Sequence, residues 1–191
     1  MSQPKIASGE PLPSIVLPLV GGGTHDLAAR VDSRHWKLVV VYRGLHCPLC
    51  TKYLLELETL QTTLAEQRIE VVAVSADTRE KAESRVEQSG LTLPVAYDLS
   101  IAQMVQLGLY ISDPASEKET DRPFAEPGVF AINEEGLLQL VDISNAPFLR
   151  PELDAVLGGI GYVRKPQAER ADPYGKSYPI RGTHIPSQVS Q

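Results

Sequence analysis

Residues 38–50 read LVVVYRGLHCPLC and hold both cysteines of a 191-residue chain. The first five residues are continuous, apolar and β-branched, as expected of a strand buried on both faces. After Cys50 the period changes. Tyr53, Leu57, Leu60 and Leu64 recur at helical spacing, Leu54 widens the stripe, and Glu56, Glu58 and Gln61 lie outside it. A helix is therefore expected from about Pro48 to Glu66, with Pro48 suited to its first position. This places Cys47 where a strand ends and a helix begins. Unpaired N–H groups and the positive end of the helix dipole favour a thiolate there, and the thiolate is the reactive form. Cys50, one turn on, is within reach of a disulfide to Cys47, and the first turn carries it inward, so it is expected to be the more buried and less reactive sulfur. One cysteine then attacks and the other resolves the product. Arg43 and His46 stand beside the pair. Arg43, at the lip of the sheet, is placed either to meet an anion or polarise a peroxide, or to pair with a nearby carboxylate. His46 is read as a loop residue or as a direct participant.

Outward from this junction, strands alternate with helices. IEVVAVS (69–75) is a second buried strand, and Asp77 is an N-cap candidate for the charged helix that Gly90 ends. LPVAYD (93–98) suits a third strand and SIAQMVQLGLY (100–110) a helix ending near Gly108. ISDPASEKETDRPFAEP reads as a loop. GVFAIN, the turn EEG and LLQLVDI form a hairpin (128–143). In 150–163, Leu153, Val156, Leu157, Ile160 and Val163 share one helical face, with Pro151 suited to the first position. Ahead of the junction, SIVLPLV and GGGTHDL suggest a short hairpin or edge strand behind a loose leader, residues 1–14. The charges of Glu56, Glu58 and TREKAESR read as solvated helix faces. The order predicts an α/β fold, a mixed sheet flanked by helices on both faces, as one domain over 1–163. Residues 164–191 carry four prolines and five Lys/Arg against two Asp/Glu. They are expected to be an irregular basic tail, either disordered or wrapped around a second subunit or partner.

Composition narrows the function. Hydrophobic residues make up 42% and charged residues 22%, as in an ordinary globular protein, and the net charge of −6 disfavours nucleic-acid binding. No run approaches the ~18 apolar residues of a membrane span, and prolines 11, 13 and 18 break any signal-peptide core. The expected compartment is the cytoplasm, where two close cysteines more often do chemistry than staple a fold. Zinc needs two further ligands, and only His25, His35, His46 and His184 are on offer, with no second Cys pair or paired-histidine pattern. Two inert core cysteines are the plain alternative, but a CxxC at a strand-to-helix junction in a β-α-β pattern is the better-attested redox signature. Nothing points to a nucleotide, flavin or metal cofactor.

The sequence resembles the thioredoxin-fold superfamily, specifically the peroxiredoxin-like branch known as redoxin or alkyl hydroperoxide reductase/thiol-specific antioxidant. The resemblance spans about residues 9–163 and rests on GEPLPSIVLPLVGGGTHDL, LVVVYRGLHCPLC, LLELETL, IEVVAVSAD, LPVAYD and PGVFAINEEGLLQL. It implies a thioredoxin-like sandwich and a thiol-based oxidoreductase, with Cys47 the peroxidatic or nucleophilic cysteine and Cys50 its partner. It also implies a hydroperoxide or disulfide substrate and an external dithiol reductant such as a thioredoxin-like protein. A homodimer is one possible assembly. Val40 and Gly44 stand where typical members carry Pro and Thr. Pro127, in AEPGVF directly before a strand, reads either as an ordinary loop proline or as a cis-proline packed beside the cysteine pair; it falls where the family's active-site arginine would be and resembles instead the cis-proline of thioredoxins. Peroxide reduction and disulfide exchange both remain open on this reading, as does a non-catalytic redox-sensing or partner-binding module.

Overall fold

The computed structural model describes residues 6–30, 32 and 34–165. The tail beyond Lys165, with any wrapping role, lies outside the described residues. Five strands form the central sheet in the order β5-β4-β3-β8-β9. Strand β3 (Trp36–Val41) is the expected apolar run, buried at every position. It pairs in parallel with β4 (Ile69–Val74), and β4 in parallel with β5 (Val95–Ala96). On its other side β3 pairs antiparallel with β8 (Gly128–Ile132), and β8 with β9 (Leu138–Ile143), through an irregularity at Ala131/Ile132. The expected hairpin is therefore present, closed by the tight turn at Gly136.

Residues alternate across the sheet into two cores. Leu38, Val40, Val71, Ala73, Val129 and Ala131 face one side. There they meet α1 (Pro48–Thr59), α2 (Gln61–Glu66), α3 (Arg79–Ser89) and α5 (Leu153–Val163). Val39, Val41, Val72, Val74, Phe130 and Ile132 face the other, against α4 (Ile101–Gln106) and the hairpin of β1 (Val16–Pro18) and β2 (Thr24–Asp26). Leu54 and Leu57 of α1 are fully buried, each worth about 1.5–3 kcal/mol.

Several expectations change. The single helix 48–66 is two, because Leu60 leaves helical geometry between α1 and α2. The leader is not loose from residue 6 onward. Gly9 N–H bonds to the Leu138 carbonyl at 2.8 Å, Leu138 N–H to the Glu10 carbonyl at 2.9 Å, and Leu12 is buried. The loop after α4 contains a two-stranded ribbon, β6 (Ile111–Ser112) and β7 (Phe124–Ala125). Pro151 precedes α5 rather than opening it; Glu152 is the N-cap. Arg164 does not start the tail freely. It donates to the carbonyls of Gln67 and Arg34 and lies over Trp36. Among the described residues no helix is long and apolar enough to cross a membrane.

Candidate functional site

Residues 43–47 leave β3 and enter α1, and polar groups from two other elements hold them. The Asp77 carboxylate accepts from Leu45 N–H at 2.9 Å and from the Ser75 hydroxyl at 3.1 Å. Burial pushes this carboxyl above its ordinary value. Gly44 has φ +135°, and a Cβ built there would sit 2.6 Å from Asp77 Oδ1, so glycine is needed for both conformation and space. Asp77 is thus an anchor of the cysteine loop and not the expected N-cap; Thr78 caps α3 through Lys81 N–H. Arg85 of α3 reaches the same loop from beneath. It donates to the Leu45 carbonyl at 2.7 Å, to the Gly44 carbonyl at 3.2 Å and to the Thr51 hydroxyl. It is 3% exposed, so that part of TREKAESR is not a solvated face. Glu58 is not one either. It accepts from the N–H groups of Thr92 and Leu93 and so closes the turn before β5.

This clamp fixes Cys47 as the N-cap of α1, in extended geometry, with its sulfur accepting from Cys50 N–H at 3.2 Å. An N-cap acceptor there satisfies a backbone donor that the helix cannot. Cys47 and Cys50 are joined by a disulfide, their Cα atoms 5.3 Å apart. The expected difference in burial is absent. Cys47 is 1% exposed and Cys50 0%, because the sheet end, α1 and the loop before α5 close over both.

Arg43 lies at the lip of the sheet as expected, and its partners are carboxylates. Nη2 bonds Glu119 Oε1 at 3.2 Å, and Nε faces Glu126 Oε2 at 3.3 Å in an ion pair without hydrogen-bond alignment. The guanidinium also lies over Phe124, 4.5 Å from the ring centroid. Its charge is therefore largely answered. His46 packs tilted on the same ring at 4.7 Å, with Nε2 3.9 Å from Glu119. Burial, then Arg43, hold its imidazole below the ordinary value. Pro127 corrects a sequence expectation. Its peptide bond is trans, as are all others among the described residues. The chain runs extended from β7 into β8, and the Pro127 carbonyl accepts from Ser144 N–H at 3.0 Å, continuing the β8–β9 ladder.

The residue that sequence reasoning missed altogether is Arg150. It lies in the loop between β9 and α5, and its Nη2 is 2.9 Å from Cys50 Sγ across a separation of 100 residues. No local signal marks such a contact. Burial holds its guanidinium below the ordinary value. A groove of about 470 Å³, lined by Tyr110, Asp142, Ser144, Leu149, Arg150 and Pro151, opens on this side. A cleft of about 260 Å³ lies beside the Cys47 loop, between His46, Asp77, Lys81 and Glu119. Among the described residues no three His, Cys, Asp or Glu side chains converge to hold a metal.

Residues 7–157 match the family model for redoxin. No curated protein sequence matches the chain. Among solved structures, a cysteine-to-serine mutant of peroxiredoxin 6 from Arenicola marina superposes with a TM-score of 0.68 at 20% identity, covering 83% of this chain and 73% of that one. The peroxidoxin BcpB of Mycobacterium tuberculosis gives 0.67 at 20% identity, over 84% and 99% of the two chains. A cysteine-to-serine mutant of PrxQ from Xylella fastidiosa gives 0.66 at 16%, over 85% and 99%. At these identities the likeness speaks for the fold, which is thioredoxin-like.

Proposed function

The chain belongs to the redoxin family and is a peroxiredoxin-like thiol oxidoreductase, and on that footing we propose that it reduces hydroperoxides through Cys47 and Cys50. One observation carries the reading. Cys47 is the N-cap of α1, with a backbone N–H directed at its sulfur and Cys50 within disulfide reach. Such a donor stabilises the thiolate. The Cys47 thiolate attacks the terminal peroxide oxygen, the O–O bond breaks, and the alkoxide leaves and takes a proton. The sulfenic acid on Cys47 is then attacked by the Cys50 thiolate, and water departs after protonation of the sulfenic oxygen. An external dithiol protein of thioredoxin type returns two electrons.

A second reading is disulfide exchange without peroxide. It is favoured by the pairing of Arg43 with Glu119 and Glu126, which leaves that arginine poorly placed to polarise a peroxide. Val40 and Gly44, where typical members have Pro and Thr, point the same way. Stopped-flow mixing of pre-reduced protein with one equivalent of hydrogen peroxide separates the two. Rapid thiol loss, abolished in Cys47→Ser and giving a trappable sulfenic acid in Cys50→Ser, is the expected result. Oxidation no faster than that of a free thiol would remove the peroxidase and leave exchange.

A further inference from the structure

The catalytic cycle above gives no part to the cation beside Cys50. Arg150 Nη2 is 2.9 Å from Cys50 Sγ. The guanidinium is braced over Tyr53, with Cζ 5.2 Å from the ring centroid, and the Tyr53 hydroxyl donates to the Pro151 carbonyl at 2.9 Å. The same tyrosine thus holds the residue next to Arg150. Nε and Nη1 are buried with no hydrogen-bond acceptor among the described residues. A disulfide sulfur is a weak acceptor, so in the oxidised state this cation is poorly answered. A thiolate at the same position would answer it with a charge-assisted hydrogen bond.

We propose that Arg150 stabilises the Cys50 thiolate formed when the disulfide opens, making Cys50 the leaving sulfur and Cys47 the one the reductant attacks. The inference rests on the thiol–disulfide cycle proposed above. A thiolate of the external dithiol attacks Cys47 Sγ and forms a mixed disulfide. The Cys47–Cys50 bond breaks, and its electron pair goes to Cys50 Sγ beside Nη2. The second thiolate of the dithiol then attacks the dithiol's own sulfur in the mixed disulfide. The Cys47 thiolate is expelled toward Cys50 N–H, the dithiol leaves oxidised, and the protein has gained two electrons. A leaving thiol of lower pKa departs faster, so the direction of opening follows from where the cation lies. The two sulfurs are served by different devices, Cys47 by the helix backbone and Cys50 by a side chain from across the fold. The other titratable or charged groups facing this corner are Tyr53 and Cys47, with Glu126 and Arg43 acting on Arg150, and Glu56 and Asp142 on Tyr53.

The test is the ionisation of Cys50 in Cys47→Ser protein, followed by ultraviolet thiolate absorbance against a blank lacking both cysteines. Arg150→Met is expected to raise the midpoint by one unit or more, a tenfold loss of thiolate, and Arg150→Lys to restore part of it. With both cysteines present, Arg150→Met is expected to shift the equilibrium with glutathione tenfold toward the disulfide, about 30 mV. An unchanged midpoint in a Met variant with native near-ultraviolet dichroism overturns the proposal. If that variant does not fold, the Arg150-containing protein decides: a midpoint at or above about 8.5, the ordinary cysteine value, overturns it. None of these readings uses peroxide, so they can fail while the peroxidase reading stands, and the reverse.

Discussion

Cys47 and Cys50 are one helical turn apart, yet the ground on their two sides is built differently. On the Cys47 side each charged side chain has protein partners, although Arg43 Nε and Arg85 Nε lack a hydrogen-bond acceptor among the described residues. Asp77 and Arg85 are spent on the backbone of residues 44–45, and Arg43 is divided between Glu119 and Glu126. On the Cys50 side a single guanidinium touches the sulfur with two of its nitrogens unpartnered among the described residues. The contrast separates two uses of a buried charge. One holds a loop in place and is silent in the chemistry. The other is left under-satisfied in one redox state and can be satisfied in the other.

The contrast can be broken at its strongest point first. Arg85→Met strands the Leu45 carbonyl and takes one of two partners from the Gly44 carbonyl and the Thr51 hydroxyl, which keep Cys47 N–H and the Cys47 carbonyl respectively. Part of that loss is offset by no longer burying a cation. A net destabilisation of about 2–3 kcal/mol is expected in urea unfolding, with the Cys50 ionisation midpoint unmoved. A midpoint that moved as far as in Arg150→Met would mean that both arginines serve the sulfurs and the division is false.

Gly44→Ala puts a methyl group into the Asp77 carboxylate at a positive φ. It should cost about 1–3 kcal/mol and slow Cys47 oxidation, because the loop that sets the N-cap must shift. Wild-type stability and rate would show that the loop has room that the geometry denies.

The pH dependence is smaller. Burial, followed by Arg43 for His46 and Lys37 for His25, holds both imidazoles below 6.5. The unfolded chain therefore binds more protons just below that value. Stability from these groups is complete above pH 6.5 and is lost as pH falls below it. His46→Gln should flatten the dependence of urea midpoint on pH between about 5 and 6.5, by an amount under about 1 kcal/mol. An unchanged slope would mean that the histidine at the site is not held neutral.

The smallest effect is expected where the charge is solvated. Arg79 and Glu83 pair on the exposed face of the helix that carries Arg85. Arg79→Ala should leave both Tm and thiol chemistry unchanged. A clear loss would argue that burial is not what distinguishes Arg85 from its neighbour.

What the sequence reads well is local. The apolar run of β3, the helical period after Cys50 and the Cys-Pro-Leu-Cys spacing each lie within a few residues and made the buried strand, the helix after it and the cysteine pair legible, while the order of strands and helices along the chain predicted the mixed sheet. The hairpin 128–143 was legible for the same reason. Local reading failed where a long element hid a break, as at Leu60, and where a polar residue fitted two roles. Asp77 looks like a cap by position, and only packing turns it toward Leu45. Arg85 looks solvated in a charged run, and only the fold presses it beneath the loop. Pro127 has the neighbours of a special proline, but the β8–β9 ladder keeps it extended. Tertiary structure alone decided which charge meets which sulfur. Arg43 is four residues from Cys47 and is held by carboxylates, whereas Arg150 is 100 residues from Cys50 and touches it. Electrostatic strength depends on distance and burial in space, and neither is written in the spacing of residues along a chain.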